Sequence, residues 1–305
     1  MYQTILVPHD GSEAGARALP IAASIAKATG ARIYLLMVHD PSMFIPFVPG
    51  EVAVPVYDAT VVSEQRHRDE MDMKRIVESM QGQGFEVAGT VLEGTVVETI
   101  AEHAIAIGAD ITIMSTHGRS GFNRLRLGSV ANSFITRTAT PTLLVRVTED
   151  NSVAPQIHPG GTLLCPLDGS SFAEQMLPHA KRFAKSLGLH IELISVTTPA
   201  AIPMAPFGTE ALIADPRDLQ NQEDNRAHYL KRIAETLPAG TTTRVITDMA
   251  VGNAICQAIS ESKPAAVAIA THGRGGLMRM MLGSVADEVL RGGSVPVLVY
   301  KPDDR

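Results

Sequence analysis

Short runs of aliphatic and β-branched residues alternate along the chain with longer stretches in which apolar positions recur every three or four residues. In the first half the runs fall at residues 4–7, 32–38, 86–91, 110–115 and 142–147. In the second they fall at 162–166, 190–196, 243–247, 266–270 and 295–300. Between the first two runs, Ala18, Leu19, Ile21, Ala22, Ile25 and Ala26 keep helical spacing from Ser12 to Gly30, and a glycine there can stop a helix. The stretch from Ser170 to Gly188 repeats this. Short connections between parallel strands require right-handed crossovers, so each half is expected to be a five-stranded, doubly wound α/β sheet covered by helices on both faces, flavodoxin-like or Rossmann-like. Its binding crevice then lies beyond the carboxyl ends of the strands. Residues 41–62 and 199–216, with four prolines each, read as loops over that crevice, and the charged stretches 63–81 and 218–236 as helices solvated on one face.

The two halves are copies. Residues 116–131 return as 271–286 with 11 of 16 positions identical, and Pro8, Asp10, Gly11 and Ser12 return as Pro166, Asp168, Gly169 and Ser170. From Asp10 to Asp168 is 158 residues and from Gly118 to Gly273 is 155. An offset of this size marks a duplicated domain, because solenoid units run about 20 to 50 residues. The expected boundaries are a first domain over 1–148, a polar linker rich in Pro and Gly over 149–160, and a second domain over 161–305.

Composition narrows the classes. The formal net charge is −6 and no stripe of Lys and Arg occurs, which argues against nucleic acid or an anionic membrane as partner. The two cysteines, Cys165 and Cys256, sit in apolar runs and read as buried core residues rather than a disulfide or zinc pair. With no basic leader and no run of 18 apolar residues, a soluble, cytoplasmic protein is the default expectation.

The repeated segments carry the candidate chemistry. Gly118 and Gly128 with Ser129, and Gly273 and Gly283 with Ser284, keep nine residues between their glycines in both copies. Glycine lets phosphate approach the backbone, and a Gly-Ser step opening a helix offers N–H donors at the positive end of the dipole. The alternative is that these glycines close tight turns and nothing more, a reading weakened by the spacing held in both copies. Asp10 and Asp168 follow a strand at the crevice, where a carboxylate accepts from ribose hydroxyls or holds a metal beside phosphates, or else caps the next helix. Arg119 and Arg274 are placed for phosphate contact or for solvent, and Arg124 and Arg279 are weaker candidates. His117 and His272 have no carboxylate or nucleophile at a helpful spacing and read as turn-fixing residues. The P-loop pattern, Gly-x-Gly-x-x-Gly, His-Glu-x-x-His and Gly-x-Ser-x-Gly are all missing, and with them any evident phosphate-reaching lysine or water-activating base, so no catalytic or dedicated metal residue is assigned.

These residues resemble the universal stress proteins, in particular members with two such domains in one chain, and the resemblance covers nearly all of both halves. The nucleotide-binding pattern of that family is Gly-x-x-Gly, nine residues, then Gly-Ser or Gly-Thr. Here the first glycine is Ser115 in one copy and Ala270 in the other, where a turn needing positive φ would be strained. The resemblance implies an adenine-nucleotide alpha-hydrolase-like fold and a first site lined by Pro8, Asp10, Val38, Met114, Gly118, Gly128, Ser129 and Val130, with Asp10 on ribose and the Val38 backbone on adenine. It implies a second site lined by Pro166, Asp168, Val196, Ile269, Gly273, Gly283, Ser284 and Val285. It further implies an intrachain pseudo-dimer through the last strands, with a homodimer of two chains open. The expected ligand is ATP, ADP or AMP with Mg²⁺, serving a regulatory role in stress response toward a protein partner. The alternatives are a slow ATPase or adenylyl-transferring enzyme in the same crevice, and a nucleotide-free, chaperone-like interaction protein.

Overall fold

A computed structural model of the chain describes residues 1–40, 59–116, 127–146, 157–199, 216–271, 282–293 and 295–302. The chain divides into two compact units, Met1–Gln156 and Ile157–Arg305. In the first, the elements run β1 (Thr4–Pro8), α1 (Glu13–Ala16), α2 (Ala18–Thr29), β2 (Arg32–His39), α3 (Ala59–Gly82), β3 (Val87–Glu93), α4 (Val96–Ala106), β4 (Ile111–Ser115), α5 (Ser129–Arg137) and β5 (Thr142–Val145). Its strands are parallel and lie in the order β3-β2-β1-β4-β5. The second repeats the series as β6 (Thr162–Pro166), α6 (Ser171–Glu174), α7 (Leu177–Leu187), β7 (His190–Thr197), α8 (Pro216–Ala234), β8 (Thr242–Thr247), α9 (Val251–Ser262), β9 (Ala266–Ala270), α10 (Ser284–Gly292) and β10 (Val297–Tyr300). Its order is β8-β7-β6-β9-β10, again parallel.

Because helices cover both faces of a parallel sheet, the central strands read as continuous apolar runs. Ile5, Leu6 and Val7 of β1 and Leu163, Leu164 and Cys165 of β6 are all buried, and each large aliphatic side chain so placed contributes roughly 1.5–3 kcal/mol. In each unit the chain winds outward from the first strand to the third, then returns to the other side of the first strand. The connections after β1 and β4, and after β6 and β9, therefore lead to strands on opposite sides of this central pair, the switch point at which a crevice forms in such sheets.

Several expected bounds shift, for local reasons. The stretch from Ser12 to Gly30 is two helices interrupted at Arg17, and the copy is interrupted at Gln175 and Met176. Pro20 and Pro178 lack the N–H that would bond the carbonyls of Ala16 and Glu174, so each first helix ends there. Gly30 and Gly188 stop the second helices at φ of 73° and 64°, a conformation that costs glycine little. Residues 59–62, expected in a loop, form the first turn of α3, their β-branched composition having hidden it. Pro216 opens α8, where a helix start leaves its missing N–H unneeded. The strand expected from residue 295 begins after Pro296 instead, since proline has no ladder donor. Cys165 is buried and burial pushes its thiol up to about 12, but Cys256 is only half-buried, contrary to its reading as core. Among the described residues, no helix is long and apolar enough to cross a membrane.

Candidate functional site

The turn after β1 is built around one carboxylate. Asp10 Oδ1 accepts from the Ser12 backbone N–H at 3.0 Å and from Ser12 Oγ at 2.5 Å, while Ser12 Oγ accepts from Gly15 N–H at 3.0 Å and so caps α1. Gly11 makes the reversal at φ 77°. The cap is thus Ser12, and Asp10 is an acceptor held in place by the turn rather than the cap. The second unit reproduces it: Asp168 Oδ1 accepts from Ser170 N–H at 2.9 Å and Oγ at 2.6 Å, and Ser170 caps α6.

The other wall is the start of α5. Gly128 N–H donates to the Thr116 carbonyl at 2.8 Å, which ties the start of α5 to the end of β4, and Asn132 N–H returns to the Gly128 carbonyl at 2.9 Å. Gly128 is the N-cap and makes no side-chain cap. Helix geometry leaves the first N–H groups without an intrahelical acceptor, and a dipole aims positive charge along them. In the second unit Gly283 bonds the Thr271 carbonyl at 2.7 Å and opens α10 in the same way.

Between these walls lies a cavity of about 290 Å³, near the lower end of small-molecule sites. Pro8, Asp10, Val38, Met114, Ser115, Gly128, Ser129 and Val130 all line it. Gly118, Arg119, Gly273 and Arg274, like His117, His272, Arg124 and Arg279, lie outside the described residues. Pro166, Asp168, Val196, Ile269, Ala270, Gly283, Ser284 and Val285 occupy the corresponding ends of β6, β7 and β9 and the start of α10. Ser115 and Ala270 end their strands in register with Val145 and Tyr300, and neither has positive φ. The strain expected from replacing glycine there does not arise.

Further residues at the cavity carry no motif. His9 is buried and its Nδ1 accepts from Gly11 N–H at 2.7 Å. His39, which ends β2, faces Asp69 of α3, with Nδ1 and Oδ2 3.3 Å apart. Gly89 on β3 lets α3 come this close, because a Cβ there would stand 2.5 Å from Met73 Sδ. Asp40, Thr116, Val96 and Ile100 also line the cavity, as do Gly15, Leu36, Met37 and Ala131. The second unit differs here: Leu167 replaces His9, Thr197 replaces His39, and Arg226 of α8 donates to the Asp168 carbonyl at 2.6 Å. Nearby, burial and the bond to Glu174 push the Tyr229 phenol above its ordinary range.

The universal stress protein family model matches residues 1–146 and again 161–301. The chain belongs to the universal stress protein family. Among its relatives in that family, a protein of Methanocaldococcus jannaschii is 30% identical over 146 residues, covering 48% of this chain and 83% of its own length. A universal stress protein of Mycolicibacterium smegmatis is 26% identical over 274 residues, covering 87% of this chain and 88% of its own. Among solved structures, a universal stress protein from Archaeoglobus fulgidus matches 99% of this chain and 97% of its own at 21% identity, with a TM-score of 0.65. The last of these bears on the fold, which as a universal stress protein's is two tandem units of mostly parallel α/β sheet.

Proposed function

We propose that this universal stress protein binds ATP or a related adenine nucleotide in the first cleft, with Mg²⁺ on the phosphates, and serves as a nucleotide-controlled regulator. The observation that carries this is the single cavity joining three unlike surfaces: the Asp10 carboxylate, the open N-terminus of α5, and apolar walls from Leu36, Val38, Ile100 and Met114. A nucleotide has three matching parts. Phosphates suit the N–H groups of a helix start whose cap is glycine, ribose hydroxyls suit a fixed carboxylate acceptor, and a base suits an apolar slot beside strand backbone. Among the described lining residues there is no lysine or arginine, so helix dipole and cation share the neutralisation of phosphate charge. Mg²⁺ usually keeps several waters and is bound largely through substrate phosphates, so with Asp10 on ribose the phosphates and water would supply most of its ligands. The second unit keeps the Asp168 turn and the Gly283-Ser284 helix start, which supports a second, related site.

Calorimetric titration of Mg²⁺-ATP into nucleotide-stripped protein tests this, alongside the Ser129→Glu and Ser284→Glu variants. A glutamate in the first turn favours the helix but repels phosphate, so each variant is expected to stay folded and to lose the binding of its own unit. Absence of binding by the intact protein would overturn the reading.

A further inference from the structure

We propose that the buried His39–Asp69 pair reads the 6-amino group of the base and makes the first cleft selective for adenine over 6-oxopurines; this rests on the nucleotide reading above. The sheet order fixes which end of a nucleotide meets the pair. Phosphate belongs at α5, which follows β4, and β2 lies two strands away across β1, a separation of about 10 Å. The base end of the ligand therefore falls at the close of β2, beside Val38 and His39.

Asp69 is there, 6% exposed, with His39 at 2%. Gln65 Nε2 donates to Asp69 Oδ1 at 2.9 Å and His39 Nδ1 to Oδ2 at 3.3 Å, so the carboxylate is oriented from two sides. Its neighbours in the wall, Leu36, Met37, Val96 and Ile100, are apolar. A carboxylate has about four acceptor directions and no donor when ionised. Adenine presents an N–H₂ donor at position 6, whereas guanine and hypoxanthine present a carbonyl oxygen that the carboxylate repels. The other acids at the cavity do not duplicate this role: Asp10 sits in the Ser12 turn, and Asp40 lies past the end of β2 and is less buried.

The second unit serves as an internal comparison. Thr197 stands at the His39 position, its Oγ1 3.2 Å from the Ile246 carbonyl and 3.1 Å from Thr247 Oγ1, and α8 contributes Arg226 at the cleft. In that unit Glu223 of α8 accepts from Thr247 Oγ1 beside Thr197, so an acid is kept at this corner and a histidine is not, and the His–Asp pair belongs to the first unit alone among the described residues.

The test measures binding of ATP, inosine triphosphate and purine riboside triphosphate to the full chain carrying Ser284→Glu, with and without Asp69→Asn. Purine riboside triphosphate keeps the ring acceptor and lacks the amine, so it isolates that group. ATP is expected to bind tighter than either analogue by on the order of tenfold or more. Asp69→Asn, whose amide can donate to a 6-oxo group, is expected to bring ATP and inosine triphosphate to within about threefold of each other. Should Asp69→Asn fail to fold, the analogue series on the unsubstituted Asp69 decides. Equal binding of all three ligands, or an unchanged ratio in Asp69→Asn, overturns the inference and leaves the nucleotide site standing; no binding of any nucleotide overturns both.

Discussion

Ser12 and Ser170 each make two bonds that serve different purposes. The hydroxyl accepts from a helix N–H, which stabilises the first turn, and donates to the Asp10 or Asp168 carboxylate, which holds that group in one orientation. Removing the hydroxyl therefore has two separable costs. Ser12→Ala or Ser170→Ala is expected to lower stability by about 1 kcal/mol, the usual worth of a serine cap, and to weaken nucleotide binding as well because the carboxylate must be ordered by the ligand. Urea unfolding and calorimetry on the same samples separate the two; binding unaffected by Ser12→Ala would show that the turn does not organise the site. Position 15 gives a related lesson. A Cβ on Gly15 would stand 2.6 Å from Asp10 Oδ1, yet the copy has Ala173 there with the same carboxylate bonds, so a small side chain is accommodated by movement at a carboxylate tip.

Elements were legible in the sequence to the extent that their pattern was local. The inner strands announce themselves as apolar runs, because a strand buried on both faces needs no partner to be recognised, whereas β3 and β8, part-exposed and with polar residues, are marked by their β-branched composition. The helix breaks before Pro20 and Pro178, and the first turn of α3, were not visible, since a prolonged apolar period masks a missing donor and β-branched residues mask a helix start. The cleft was readable where duplication repeated it, at Asp10 and at Gly128-Ser129, but not at His39 and Asp69. These are separated by 30 residues, meet only because α3 packs on the β2–β3 pair, and the histidine is Thr197 in the other copy. Packing between elements also sets a pH dependence. His179 of α7 lies 4.0 Å from the Tyr300 ring of β10, and burial, then Arg182, lowers its pKa below the ordinary 6.5. The unfolded chain consequently takes up the proton first as pH falls through 6.5, and stability present at neutral pH declines from there down to the folded pKa. Burial lowers His103 of α4 in the same direction. His179→Phe is expected to flatten the fall in melting temperature between about pH 7 and pH 5 by removing one of these protons; an unaltered slope in scanning calorimetry would refute it.

For the whole molecule, duplication means two compact units, each with its own core, and on the proposed reading a nucleotide cleft in each. A ligand that binds only the folded form stabilises by mass action, about 2.7 kcal/mol at a hundredfold excess over Kd. Mg²⁺-ATP is expected to raise the unfolding transition of the intact chain, and Ser129→Glu and Ser284→Glu to subtract independent shares, since sites without common partners act additively. A chain in which either variant removes the entire effect would require the clefts to be coupled. The way Gly128 and Gly283 open their helices has a last consequence, for inheritance. Donors that belong to the main chain survive every exchange except one to proline, so random replacement at neighbouring codons rarely deletes the proposed phosphate cradle; far more often it is obstructed, by bulk or by an acid set in front of it. Lineages descended from this gene should lose their second cleft abruptly, by one obstructing replacement, while its framework persists, and the polar residues that discriminate between bases should drift long before the cradle does.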